Sequence, residues 1–112
     1  MAGLHQRKIG RRALSVTDLG CGGSPLGNRA SPISDDQADD VVQRAWESGI
    51  RYFDTAPLYG HGLGEARLGK SLRWKPRDEF VISSKVGRVL TAALRLCCTN
   101  RLRGGVPRWR TD

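Results

Sequence analysis

Ile50-Arg51-Tyr52-Phe53-Asp54-Thr55-Ala56-Pro57-Leu58-Tyr59-Gly60 is the stretch that decides how the other residues of this chain are read. Its first half, with isoleucine and two aromatics, suits a strand over Ile50–Asp54, and its second half has the small, proline and glycine residues of a loop. Directly before it, Gly49 closes a strong helix signal. Ser34-Asp35-Asp36-Gln37 is a capping box, in which the serine hydroxyl takes the amide three residues on and the glutamine reaches back. Asp35 and Asp36 suit the positive end of the helix dipole. Ala38, Val41, Val42, Ala45 and Trp46 recur at i, i+3, i+4, i+7 and i+8, which makes one apolar stripe. A helix, a glycine stop and an immediate strand form an α/β unit.

Reading outward extends the pattern. Thr55 to Leu63 is a glycine-rich loop, Glu65 to Arg73 a second helix burying Leu68 and Leu72, and Lys75 to Asp78 a turn. Phe80-Val81-Ile82-Ser83-Ser84-Lys85 reads as another strand. Toward the N-terminus, Arg7–Ile9 and Leu14–Val16 read as a hairpin. Thr17 to Gly23 reads as a short buried strand crowded with glycine, which permits close approach of a neighbouring element or a ligand. Ser24 to Pro32 is a loop. Strand, helix, strand, helix, strand is the order of a parallel α/β sheet.

With 38% hydrophobic and 27% charged residues, the composition suits a soluble globular domain of modest size. No apolar run approaches the ~20 residues of a membrane-spanning helix. The opening MAGLHQRKIGRR lacks the apolar core of a secretory signal, so a cytoplasmic location is expected. Cys21, Cys97 and Cys98 fit neither a zinc site nor a disulfide framework and are expected as free thiols. The net charge of +8 suggests nucleic acid only until its distribution is read. Residues 1–90 hold 14 Lys/Arg and 10 Asp/Glu; residues 91–112 hold five Arg and one Asp, so each part carries +4. No basic stripe marks the ordered part, and neither nucleic acid nor membrane is expected as a partner. Beyond residue 90 the helical and strand periods stop, and residues 91–112 read as a divergent, irregular basic tail. Its character resembles an alternative exon end or another reading frame more than a domain terminus.

Two glycine clusters could suggest a dinucleotide loop, but neither has the required spacing. Gly20-x-Gly22 meets Pro25, and Gly60-x-Gly62 meets Glu65, where a small residue is needed. Four other motifs, in order, resemble the aldo-keto reductase family. They are the opening Leu19-Gly20, Gly22-Gly23 and Pro25-Leu26-Gly27; the quoted Ile50–Gly60 run; Gly62-Leu63-Gly64-Glu65-Ala66-Arg67-Leu68-Gly69; and Phe80–Arg88. The Ala-Pro-Leu-Tyr-Gly-x-Gly-Leu pattern is most similar to the aldose dehydrogenases that oxidise fucose, galactose or related sugars at C1. The resemblance covers about Arg7 to Leu90. It implies the N-terminal portion of a (β/α)8 TIM barrel: a hairpin plus about three barrel strands, incomplete, over residues 7–90. Ala13 departs from the family's usual glycine in the hairpin turn; if φ is positive there, alanine costs roughly 1 kcal/mol.

The resemblance also implies an NAD(P)-dependent oxidoreductase transferring hydride between nicotinamide and a sugar or other carbonyl or alcohol substrate. In it, Tyr59, Lys85 and Asp54 are catalytic, while Asp54, Gly22 and Gly23 bind NADP or NAD. Singly, Asp54 reads as a cap, Tyr59 as a packing residue and Lys85 as a solvated loop lysine. Their joint placement at strand ends is what favours chemistry. Strands under ~5 Å apart would let Asp54 pair with Lys85, and a cation beside a phenol stabilises the phenolate. His61, two residues after Tyr59, is a candidate sugar contact. The family's fourth catalytic residue, a histidine after the fourth strand, has no match in His5 or His61, and later cofactor-binding segments have none either. The chain by itself is therefore expected to lack dehydrogenase activity and to fold poorly or associate. An unpaired edge at Phe80–Ser84 would let it join a full-length relative.

Overall fold

A computed structural model describes residues 4–87 and 90. The N-terminal hairpin joins β1 (Gln6–Lys8) to β2 (Ser15–Thr17) in antiparallel register, one residue away from the expected boundaries. Its positive φ falls on Gly10, at 61°, and not on Ala13, so the alanine carries no left-handed strain. Leu14 is exposed, and Thr17 is the buried residue of the hairpin. The Thr17 hydroxyl donates to the Leu19 carbonyl at 2.7 Å and accepts the Arg51 amide at 3.1 Å, which ties the hairpin to the base of the sheet.

The expected strand over Thr17–Gly23 is broken. Thr17 ends β2, the chain bends at Asp18-Leu19, Leu19 is exposed, and Cys21–Gly22 pair separately, as β3. Within the expected loop, Ser24–Gly27 form a 3-10 turn because Pro25 presets the first helical dihedral.

Helix α1 (Asp35–Glu47) begins at the capping box, with Ser34 Oγ accepting the Gln37 amide at 3.1 Å and Gln37 Oε1 accepting the Ser34 amide at 2.9 Å. Ala38 and Val42 are buried and Ala45 and Trp46 pack against the core, but Val41 is exposed. At 3.6 residues per turn Val41 lies about 60° to the far side of Ala38 from Val42, which leaves it on the flank of the stripe. Gly49, at φ 88°, then turns the chain into β4 (Tyr52–Asp54). Helix α2 (Leu63–Leu72) starts two residues before the expected Glu65 and buries Leu68 and Leu72. A 3-10 turn at Arg77–Glu79 leads to β5 (Val81–Ser83), shorter at both ends than expected.

The three strands are parallel and lie in chain order, β3-β4-β5. Cys21 and Gly22 align with Phe53 and Asp54, while Tyr52, Phe53 and Asp54 align with Val81, Ile82 and Ser83. Successive parallel strands joined by helices are the repeating step of a (β/α)8 barrel, and the described residues supply its N-terminal part without closing it. Side chains alternate along β4: Phe53 is fully buried beneath Leu26, Val42, Leu68 and Leu72, while Tyr52 and Asp54 face the other side of the sheet. Trp46 and Phe80 meet edge-on with centroids 6.0 Å apart, closing the core below Phe53.

Candidate active site

Every candidate site residue lies at or just beyond the carboxyl ends of the three parallel strands. Gly22 ends β3, Asp54 ends β4, and Lys85 follows β5 by two residues. The strand register brings Asp54 and Ser83 side by side. Ser83 Oγ donates to Asp54 Oδ1 at 2.7 Å, and Lys85 Nζ donates to Asp54 Oδ2 at 2.7 Å and to the Thr55 carbonyl at 3.1 Å. The expected Asp54–Lys85 pair is therefore present. Tyr52 adds a link that the sequence did not suggest, its hydroxyl lying 3.0 Å from Ser83 Oγ.

These contacts set the titration of the pair. The Lys85 hydrogen bond, then that of Ser83, holds the Asp54 carboxyl below its ordinary 3.8, against a smaller opposing effect of burial. Asp54 chiefly, with Tyr59 in support, holds the Lys85 ammonium above its ordinary 10.5. The signs give a window. The depressed carboxyl contributes stability above its ordinary value, lost as pH falls through the lower folded value; the raised ammonium contributes below its own, lost as pH rises through the higher one. Between about 4 and 10 the pair is expected to add no pH dependence. In Lys85→Met the Asp54 carboxyl is expected to titrate at higher pH, as followed by carboxyl-carbon NMR. The urea midpoint at pH 7 is expected to change little, because the ammonium is solvent-exposed. An unchanged Asp54 titration would contradict this assignment.

Tyr59 is half-buried on the loop between β4 and α2, and its ring centroid lies 5.0 Å from Lys85 Nζ. Three glycines shape its backbone. An added Cβ on Gly27 would fall onto the Tyr59 carbonyl carbon and lie 2.5 Å from its oxygen; one on Gly60 would lie 2.5 Å from the Gly27 oxygen; and one on Gly64 would lie 3.0 Å from Tyr59 Cβ. The first 3-10 turn and the tyrosine loop thus cross at van der Waals contact. A cavity of about 320 Å³ opens in front, walled by Ala56, Pro57, Leu58, Tyr59, Lys85 and Arg29. His61, in a left-handed backbone at φ 54°, lines an adjoining cavity with Tyr59 and Arg29.

The two glycines expected at a cofactor differ. A Cβ on Gly23 would meet the Asp54 carbonyl oxygen at 2.7 Å, so strand packing accounts for that glycine. A Cβ on Gly22 would meet nothing within 4 Å, leaving open space beside Asp54 for a ligand. The Asp54 carboxylate beside this open backbone keeps acceptor capacity beyond its bonds to Ser83 and Lys85. Thr55 Oγ1 is buried and has no hydrogen-bond partner among the described residues.

Reading the sequence also missed Arg67. Its largely buried guanidinium donates to Asp35 Oδ1 (2.8 Å), Asn28 Oδ1 (2.9 Å) and the carbonyls of Leu26 (2.8 Å) and Ile33 (3.0 Å), lacing the loop after β3 to α2. An arginine at the fifth position of a helix gives no such signal unless the facing loop is known. Cys21 is a free, half-buried thiol whose burial raises its pKa; Cys97 and Cys98 lie outside the described residues. Among the described residues, no group of three or more His, Cys, Asp or Glu could hold a metal, and no helix is long and apolar enough to cross a membrane.

The family model described as "Aldo/keto reductase family" matches residues 18–111, continuing past residue 90, where the sequence changes character. Over 77 residues the chain is 54% identical to D-threo-aldose 1-dehydrogenase of a Pseudomonas species, a match covering 69% of this chain and 23% of that protein. It is 51% identical over 87 residues to pyridoxal 4-dehydrogenase of Microbacterium luteolum, covering 78% of this chain and 25% of that one. Aldo-keto reductase AKR11C1 from Bacillus halodurans, solved in its holo form, superposes with a TM-score of 0.72 at 30% identity, over 97% of this chain and 30% of that one. The chain spans about a quarter of the length of the curated relatives it matches.

Proposed function

The chain belongs to the aldo/keto reductase family, and we propose that it carries the proton-transfer half of a nicotinamide-dependent oxidoreductase acting on a sugar or similar carbonyl compound. One observation supports this above all: Lys85 lies between the Asp54 carboxylate, at 2.7 Å, and the Tyr59 ring, at 5.0 Å, on the rim of an open cavity. Tyr59 is the proposed acid and base. In oxidation its phenolate takes the proton from the substrate hydroxyl; in reduction its phenol returns a proton to the carbonyl oxygen. A free phenol titrates near 10 and is slow in either role at neutral pH. Lys85 supplies a positive charge 5.0 Å from the Tyr59 ring centroid, and Asp54 fixes the ammonium in place. Gly22 and Asp54 are the residues here proposed to hold the nicotinamide end of NAD or NADP, which would supply the hydride chemistry. His61 is proposed at the substrate side of Tyr59. The similarity to an aldose 1-dehydrogenase favours oxidation at a sugar C1.

The test is a transplant. Residues 18–87 of this chain, placed in D-threo-aldose 1-dehydrogenase instead of the segment they match, are expected to sustain aldose-dependent reduction of a nicotinamide cofactor. A folded chimaera without turnover would overturn the reading. The 112-residue chain alone is expected to show no turnover with any aldose, because its described residues supply three strands of a barrel that takes eight.

A second reading, association with an intact relative, is favoured by the outer edge of β5, which pairs with no strand among the described residues and exposes Ile82. A tagged chain is expected to co-purify with an intact aldo-keto reductase and not with unrelated proteins. Equal recovery of both would discard this reading.

A further inference from the structure

We infer that Arg29 sets the substrate class of this site, selecting a carbonyl compound or sugar that carries an anionic group, a carboxylate or a phosphate. The inference rests on the proposed function, because it takes the cavity before Tyr59 as the substrate's place.

The loop bearing Arg29 is held firmly. Asn28 adopts the left-handed conformation at φ 61°, and its Oδ1 accepts both the Ile33 amide, at 3.1 Å, and Arg67 Nη1, at 2.9 Å. The same guanidinium takes the carbonyls on either side, Leu26 and Ile33. A short loop clasped at both ends thus carries Arg29 onto the rim, where it lines both cavities that meet at Tyr59.

The charges on this wall do not balance. Lys85 is matched by Asp54 at 2.7 Å. Arg29 is exposed and makes no ion pair among the described residues. Among the described residues, those lining the two cavities include no carboxylate, and the Asn28 acceptor is already used twice. A neutral sugar offers hydroxyls that need acceptors as well as donors, and this wall is poor in acceptors. A carboxylate or phosphate matches an unpaired guanidinium in charge and in its two-pronged geometry. Ala56, Pro57 and Leu58 beside it reduce the water that would screen the contact.

The experiment titrates the full 112-residue chain with galacturonate, galactose 6-phosphate, galactose and NADP at constant ionic strength, followed by amide and guanidinium NMR shifts. Galacturonate and galactose 6-phosphate are expected to bind about 10- to 100-fold more tightly than galactose, the range of one charge-assisted pair. Arg29→Gln is expected to bring that ratio near one, and Arg29→Lys to restore part of it. Arg29 makes no hydrogen bond within the described residues, so neither variant should disturb the fold. Overturning results are an equal ratio in the parent chain, a ratio that survives Arg29→Gln, no binding of any sugar, or a loss confined to NADP. The last would give the guanidinium to the cofactor phosphate. Because binding is read without turnover, an inactive transplant with an Arg29-dependent ratio would sink only the reaction. An active transplant without that ratio would sink only this inference.

Discussion

Tyr59→Phe in the transplanted enzyme is expected to lower turnover by about 10²- to 10⁴-fold, the range for losing a positioned acid or base, while leaving the chimaera folded. The substitution removes one oxygen and keeps the ring that packs under Lys85. The loop is held through the backbone: the Tyr59 amide donates to the Ala56 carbonyl at 3.1 Å and the Tyr59 carbonyl accepts the Gly64 amide at 2.9 Å. Neither contact involves the hydroxyl. Loss of chemistry should therefore part cleanly from loss of structure, with an unchanged melting temperature and unchanged nicotinamide binding beside a collapsed turnover number. A phenylalanine variant within a few-fold of the parent would remove Tyr59 from the reaction, and with it the role given to Lys85.

Why that triad was legible, and much of its surroundings was not, follows from where each contact arises. Asp54 and Lys85 sit at the ends of neighbouring parallel strands, and strand spacing alone brings such groups within reach. The capping box at Ser34 is local and depends on four consecutive residues, so its two hydrogen bonds form as read. Long-range contacts carry no such signature. The Tyr52–Ser83–Asp54 chain needs the register of β4 on β5, and the Arg67 clasp needs a loop whose turn at Asn28 is set by a left-handed residue. Periodicity was a partial guide to burial. It was right for Val42 and Leu68 but not for Val41, on the flank of its stripe, and the strand expected to be buried over Thr17–Gly23 turns Leu19 to solvent at its bend. The glycines at 22 and 23 read identically in sequence, yet one abuts a carbonyl and the other an open space. The expected irregular tail lies outside the described residues.

Gly27→Ala is expected to be the most damaging single change outside the core, although it adds one methyl group. At this position the first 3-10 turn crosses the tyrosine loop backbone to backbone. The new Cβ would overlap the Tyr59 carbonyl carbon, 2.5 Å from the Tyr59 oxygen and 2.7 Å from the Gly60 nitrogen. No flexible side chain can swing aside, because the obstructing atoms are peptide atoms. Gly60 is itself at φ 66°, with its own Cβ direction blocked by the Gly27 oxygen, so the loop has no relaxed alternative nearby. Overpacking that forces backbone movement costs about 1–3 kcal/mol, occasionally more. Gly69→Ala is the matched control. It lies within α2 with nothing within 4 Å of an added Cβ, so alanine is expected to stabilise by about 0.5–1 kcal/mol through helix propensity. Urea unfolding of both variants of the 112-residue chain measures the contrast. If Gly27→Ala unfolds at the parent's midpoint, the crossing does not hold the tyrosine loop. If it unfolds earlier while Gly69→Ala unfolds later, the cost belongs to that crossing and not to glycine replacement in general.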